Sequence, residues 1–397
     1  MSNTLKLGNG KWATGKDTLL SFSDTNNNYK PLPFSFSRAS SGTVINKDGL
    51  IETVGSGEPR IDFKDNTKGA LLLEPTRSNI VTDSATGIFK LPTPSLINTL
   101  APDNSNLAVI PIVYSVANRY EYIISGGTYS TNTKLTYSWY RKRISTPMVN
   151  TYLGDLRPSG VNLSYVGDTK QIESNINGYD RFEAVLNITD GSATTTVRMY
   201  FGDVIGVGNS SIAYWGHQLE QGSYATSYIP TSGQANGVTR VREEVNNENY
   251  LMSGLTDMAM FVDYELPNGN SSGFRNQLGF RDNHNANFYM IQFPSSNTYE
   301  FRYTGVANVN VDMTPSMSEQ DFGLRRKLLY TKTGTTLKVF CNGVQVSTVT
   351  SASATTFSTT SEILNAGANY DIEMKIKDWK LYNNGFTDAE AIALTTI

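Results

Sequence analysis

The sequence predicts an all-β fold built from sandwiches of antiparallel sheet, and three observations predict it. Period-two alternation of apolar and polar residues recurs along the chain, whereas helical periodicity is scarce. Clusters of Gly, Asn, Ser and Asp interrupt the strand-like runs at short intervals, and Gly alone numbers 33. Tyr and Phe, which suit a pleated half-buried surface, number 22 and 17. At 397 residues the chain is long for one domain, since a domain takes about 100–200 residues. Turn chemistry and pattern change together at two places, which gives three segments, 1–82, 83–232 and 233–397.

The first segment opens with Trp12 and a polar turn at Asn26-Asn27-Asn28, followed by the proline-punctuated Pro31-Leu32-Pro33-Phe34. Thr43-Val44-Ile45 and Leu50-Ile51-Glu52-Thr53-Val54 flank Asn46-Lys47-Asp48-Gly49. Asp-Gly between β-branched runs predicts a two-residue hairpin turn, whose central residues need positive φ. Gly69 to Leu73 reads as a short buried strand stopped by Pro75. The segment is too small and irregular for a large core, so it is expected to lean on a neighbour.

The second segment starts with a Pro/Asn/Ser-rich loop over 91–106 and then reads as strands. Leu135 to Lys142 alternates Leu135, Tyr137 and Trp139 against Thr136, Ser138 and Tyr140. Arg181 to Ile188 and Thr194 to Phe201 lie around an Asp190-Gly191 turn, and Ser211 to Glu220 closes the set. Many short strands of this kind predict a jelly-roll sandwich.

In the third segment Thr335 to Cys341 and Val344 to Thr350 flank Asn342-Gly343, a two-residue hairpin. Ile372, Met374 and Ile376 alternate with Asp371, Glu373, Lys375 and Lys377, and the apolar phase then slips by one to Trp379 and Leu381. One extra residue exchanges the faces of a strand, so a β-bulge is expected near Lys377-Asp378. Thr387 stands three residues before Glu390, a capping box that starts one short helix through Ala391 and Leu394.

Composition excludes several function classes. Lys and Arg total 33 against 36 Asp and Glu, a net charge of −3, and a nucleic-acid binder normally carries a basic excess or stripe. Two histidines, His217 and His284, and one cysteine, Cys341, are too few for a zinc, haem or iron–sulfur site or for a disulfide framework. No apolar run approaches the roughly 18–20 residues that cross a bilayer, so membrane insertion is not expected. The first ten residues lack the basic-then-apolar pattern of a secretory signal. No cofactor is implied.

Retaining glycoside hydrolysis needs two carboxyl groups about 5 Å apart. Asp371 and Glu373 share a strand face, but Lys375 and Lys377 continue it, which reads as a solvated charged face. Glu243-Glu244 falls in a linker. His217 is expected to be a structural core histidine, His284 an exposed turn residue, and Cys341 a small buried hydrophobe. Gly202, Gly206 and Gly208 lack the Lys-Ser/Thr ending of a phosphate loop. No loop shows the dense ligand spacing of a calcium site, so neither a catalytic residue nor a metal is assigned.

Glycan binding requires a shallow face with aromatic rings beside hydrogen-bonding groups. Alternation places Tyr214, Gln218 and Glu220 on one face, with Trp215, His217 and Leu219 on the other and assigned to the core. The carbohydrate-binding candidates are therefore Tyr214, Gln218 and Glu220, joined by Tyr140.

Three stretches go beyond pattern. Phe36-Ser37-Arg38-Ala39-Ser40-Ser41-Gly42-Thr43, with Pro59-Arg60-Ile61-Asp62 and Leu71-Leu72-Leu73-Glu74-Pro75-Thr76-Arg77-Ser78-Asn79, resembles a module of bacteriophage head and tail fibre proteins. Tyr214-Trp215-Gly216-His217-Gln218-Leu219-Glu220-Gln221-Gly222, continuing to Thr231, is similar to the closing strand of a carbohydrate-binding-like jelly roll in those proteins. Leu337 to Val344 and Ile376 to Glu390 resemble a concanavalin A-like (laminin G-like) sandwich, a fold that hosts both lectins and hydrolases. The resemblance implies an N-terminal attachment module, a jelly roll and a concanavalin A-like domain in a virion protein on the outer surface of a phage particle. It also implies other virion proteins as partners of the N-terminal module, a homotrimer, and a host-surface glycan as ligand. A polysaccharide depolymerase and a spacer that binds no sugar are the alternatives.

Overall fold

A computed structural model of the chain describes residues 4–7, 12–14, 20–23, 29–31, 35–65, 67–85, 89–90, 95–105, 107–112, 120–125, 127–144, 155–159, 162–192, 196–201, 212–246, 256–268, 275–282, 288–293, 300–303, 323–350, 361–364, 373–382 and 384–397. These residues are all β apart from turns and one helix, Asp388–Thr395. They form two compact units rather than three consecutive domains. One comprises 1–41, 54–76 and 241–397, and the other 42–53 and 77–240. The 1–82 segment thus forms no unit of its own. Its hydrophobic pieces are each too short to enclose a core, and they are divided between the two.

The unit of 42–53 and 77–240 is a two-sheet sandwich. In its seven-stranded sheet Lys134–Arg143 is flanked by Tyr179–Ile188 and Ile212–Gln221. The four-stranded sheet takes Phe89–Lys90, Tyr120–Ser125, Thr196–Phe201 and Asp155–Ser159 in that order. Tyr137, Trp139, Phe182, Leu186 and Tyr214 bury one face of the larger sheet in a cluster that includes Val197 of the smaller one. Full burial of each such side chain is worth about 1.5–3 kcal/mol, so this layer contributes strongly to the unit's stability. On the opposite face Tyr140, Tyr179, Trp215 and Tyr228 form a second cluster, closed by Ile45 and Ile51.

The two strands expected around the Asp190-Gly191 turn are present, and the turn carries the chain from the larger sheet to the smaller. Other local expectations here need two adjustments. The 91–106 loop is interrupted by a strand, Ser95–Thr99, paired with Ala108–Ile112. At Asp48-Gly49 only Gly49 has positive φ, +75°. Asn46 explains the difference, because its side-chain oxygen accepts the backbone N–H groups of Asp48 and Leu50 and stabilises a wider loop.

The other unit is organised by an eight-stranded sheet in the order Val344–Thr350, Thr336–Cys341, Arg325–Thr333, Met258–Glu265, Met374–Tyr382, Ala70–Leu73, Arg60–Asp62, with Thr4–Leu7 also pairing Met374–Tyr382. The expected bulge is present: Asp263 faces Asp378, but Tyr264 faces Ile376, so Lys377 is the extra residue. Asn342 and Gly343 both have positive φ, +48° and +81°, and Cys341 pairs Val344, as a two-residue hairpin requires. The Thr387–Glu390 capping box starts the helix, which packs Ala391 and Leu394 against Phe261, Leu329 and Phe340. Cys341 is half-buried rather than fully enclosed, because the strand it ends leads directly into the exposed turn.

Candidate functional site

Gly216 decides where the sequence-predicted glycan residues lie. Tyr137 faces Leu219 and Ser138 faces Gln218, yet Tyr140 faces Trp215, so one extra residue is accommodated in Ile212–Gln221. Gly216 supplies it with φ of +67°, and a Cβ there would run into the Tyr140 ring. The bulge reverses the alternation. Tyr214 therefore shares the core with Leu219, and Trp215 lies with Tyr140.

Tyr140, Tyr214, Gln218 and Glu220 are all enclosed, none exceeding 2% exposure. They present no shallow face for a sugar ring, which corrects their placement by simple alternation. Tyr140 instead donates to Glu173 Oε2 at 2.9 Å, under the guanidinium of Arg181. Burial, aided by Glu173, drives its phenol pKa well above the ordinary value, so it stays a donor. Gln218 Oε1 accepts the Ile229 N–H at 2.6 Å, and Gln218 Nε2 donates to Glu220 Oε2 at 2.6 Å. Glu220 Oε2 also accepts the Thr226 N–H at 3.0 Å. These amide and carboxylate groups fasten the 224–231 segment onto the strand; they are already occupied. His217 is a buried structural residue, as expected: Nδ1 pairs with the Tyr137 hydroxyl at 2.8 Å, and burial lowers its pKa to about 3.

The acidic residues of the other unit were also misplaced by sequence reasoning. Glu243 is not in an exposed linker but fully buried. Its Oε1 accepts from Arg38 Nη1 at 3.1 Å and Arg60 Nε at 2.7 Å, and its Oε2 accepts the Glu74 N–H at 2.9 Å. Arg60 Nη2 also pairs with Glu74 Oε2 at 2.7 Å. Burial would lower the Arg60 pKa, but Glu243 and Glu74 outweigh it and raise it. Arg38, Arg60, Glu74 and Glu243 thus close a buried ionic cluster. Glu373 is buried too, not solvated. It accepts from Asn268 Nδ2 at 2.8 Å, and burial with nearby Glu74 raises its pKa to about 7. Its predicted companion Asp371 lies outside the described residues, as do His284 and the 202–208 glycines.

The open site is a polar groove that the sequence reading did not single out. Arg325–Thr333 and Thr336–Cys341 are joined by Gly334-Thr335, with Gly334 at φ +56°, as a tight hairpin with glycine first allows. Thr331 faces Lys338 and Thr333 faces Thr336 across the ladder. Period two therefore places all four on one side. Phe386, Thr387 and Asp388, at the start of the helix, complete a groove of about 490 Å³. Thr331 Oγ1 accepts the Phe386 N–H at 2.8 Å, and the Phe386 ring meets Tyr382 edge-on, with centroids 4.7 Å apart. Lys338 Nζ pairs with Asp388 Oδ1 at 2.6 Å at the rim. The legible signal was Thr331-x-Thr333-Gly334-Thr335-Thr336-x-Lys338, an alternation of polar side chains around a turn glycine.

Among the described residues no group of three His, Cys, Asp or Glu side chains is placed to hold a metal ion, and no helix is long and apolar enough to cross a membrane. No protein family matches the sequence, and no curated protein does. Among solved structures, the carbohydrate-binding module of Ruminococcus gnavus IT-sialidase, bound to α2,3-sialyllactose, shows 13% identity and a TM-score of 0.30, over 36% of this chain and 84% of that one. The binding domain of Paraclostridial Mosquitocidal Protein 1 shows 11% identity and a TM-score of 0.30, over 38% and 40%. Trypanosoma rangeli sialidase shows 11% identity and a TM-score of 0.27, over 96% and 72%. At these scores the similarity is too distant to assign a function.

Proposed function

We propose that this chain is a surface protein of a bacteriophage virion that binds host-surface glycans without cleaving them. The fibre-like motifs in 36–79 and 214–231 support the virion setting. The observation that carries glycan binding is the open groove lined by Thr333, Thr336, Lys338, Phe386 and Asp388. Its volume lies within the roughly 300–1,000 Å³ of small-molecule sites, and it sets one aromatic ring beside hydroxyl, ammonium and carboxylate groups. In this reading the N-terminal part attaches to other virion proteins, and the chain acts as a homotrimer. Many weak sites on one particle then combine, since linked sites gain avidity without new contacts.

The test is a glycan array and a host-cell binding assay with the purified full chain, accompanied by an image of the intact particle with this chain labelled. Binding to defined glycans and a label on the particle surface are expected; blank arrays at multivalent display would overturn the glycan reading. One observation favours a depolymerase instead, namely a buried carboxyl, Glu373, whose pKa is raised to about 7, in the range of a general acid. That alternative requires release of reducing ends from host polysaccharide and its loss in Glu373→Gln.

A further inference from the structure

Building on the glycan-binding reading, we infer that the groove between the Arg325–Thr333/Thr336–Cys341 hairpin and the helix N-terminus takes a neutral pyranose rather than an acidic sugar. Charge is the first argument. The ammonium of Lys338 is neutralised by Asp388, 2.6 Å away. Glu390, one turn into the helix, accepts from Thr387 N at 3.0 Å and Thr387 Oγ1 at 2.6 Å, and these bonds hold its carboxyl below the ordinary pKa, hence ionised. On the hairpin side, Lys332 donates to the Thr256 carbonyl and has Asp257 nearby. Among the described residues of the groove each cation is already paired, which leaves none to receive a sugar carboxylate or sulfate, and the ionised Glu390 carboxylate disfavours one.

The polar atoms fit a polyol. An ion pair at the rim offers one strong donor and one strong acceptor within a hydrogen bond of each other. A vicinal diol is matched to that spacing: one hydroxyl accepts from Lys338 Nζ while its neighbour donates to Asp388. Thr333 is exposed and Thr336 half-buried. Among the described residues no protein hydrogen bond is made by either hydroxyl, so both remain available to further sugar oxygens. Each Thr hydroxyl both donates and accepts, as sugar hydroxyls do.

The ring supplies the apolar contact. Phe386 is half-buried, its backbone fixed by Thr331 and its ring braced edge-on by Tyr382. A braced ring loses little freedom on binding, and its π face suits the C–H face of a pyranose. Gly385 sits where any Cβ would collide with Thr333, which keeps Phe386 close to the hairpin.

The experiment measures binding of the full chain to paired neutral and acidic oligosaccharides that share a backbone, at low and high ionic strength. Neutral ligands are expected to bind with affinity that changes less than about twofold with salt, because no net charge is neutralised. Phe386→Ala is expected to weaken binding about tenfold. Thr333→Trp, which fills the groove from an exposed position, is expected to abolish it, with circular dichroism showing that the chain still folds. Binding that survives Thr333→Trp overturns the groove as the site while leaving glycan binding intact. Preference for the acidic member, with strong salt dependence, overturns the neutral class. Failure to bind any member of either series, together with blank arrays, instead removes the function proposed above.

Discussion

The side chain of Asn79 is hydrogen-bonded at both ends to the bulged strand: its oxygen accepts the Leu219 N–H at 3.1 Å, and its nitrogen donates to the His217 carbonyl at 3.2 Å. The same amide also accepts from Val81 N–H and donates to the Ile229 carbonyl. On that edge the neighbouring strand Ala108–Ile112 pairs only at Tyr214, and beyond it a fully buried Asn side chain takes the place of a strand partner.

Asn79→Ala should therefore strand four buried backbone groups at once. Each costs about 1–3 kcal/mol when left unpaired, and partial relaxation reduces the sum, so a loss of about 3 kcal/mol is expected. Chemical denaturation followed by the fluorescence of Trp139 and Trp215 reads it directly. A loss below about 0.5 kcal/mol would show that water replaces the amide.

Gly216→Ala places a side chain in the left-handed region and against the Tyr140 ring. The backbone term alone costs about 1–2 kcal/mol, and the ring displacement adds to it. The substitution should lower the melting temperature, while Gly167→Ala, with φ of +74° and open space around it, should pay the backbone term alone.

Two adjacent glutamates should behave oppositely. Glu243→Gln leaves the buried guanidinium groups of Arg38 and Arg60 short of one negative charge, and breaking such a cluster costs about 3–5 kcal/mol. Glu244 pairs with Arg242 at a partly exposed site, so Glu244→Gln should change stability by about 1 kcal/mol or less. Equal effects from the two would refute the structural weight given to the cluster.

Glu373 gives a pH signature. Its folded pKa is raised to about 7, above the roughly 4.3 of an unperturbed Glu. The folded state therefore binds the proton more tightly than the unfolded chain. Its contribution is full below about pH 4.3 and is lost as pH rises towards 7. Stability measured across pH 4–8 should contain this declining component, and Glu373→Gln should remove it.

The strands and turns were legible where local chemistry decides them. Asn342-Gly343, the Lys377 bulge and the Thr387–Glu390 box each depend on a few neighbouring residues, and each was read correctly. The misreadings arose where distant residues decide. Gly216 looked like an ordinary strand glycine, yet its left-handed backbone reversed the faces and moved Tyr214 into the core. Glu243 looked exposed because its partners, Arg38 and Arg60, lie about 200 residues earlier in the chain. The groove escaped notice for a similar reason: the hairpin threonines and Phe386 belong to one site only after the helix docks on Leu329 and Phe340.

The order of strands around Met374–Tyr382 carries a consequence for how the chain is made. That strand is bonded to Thr4–Leu7, Ala70–Leu73 and Met258–Glu265, so early segments must wait on the ribosome for a partner translated more than 300 residues later. The unit of 42–53 and 77–240 contains all its own strands and is complete well before then. Because distant pairing must bear the entropy of closing long loops, folding is expected to proceed from the middle of the chain outwards, with the termini knitted together last. Release before residue 374 would yield one finished half and one that cannot close.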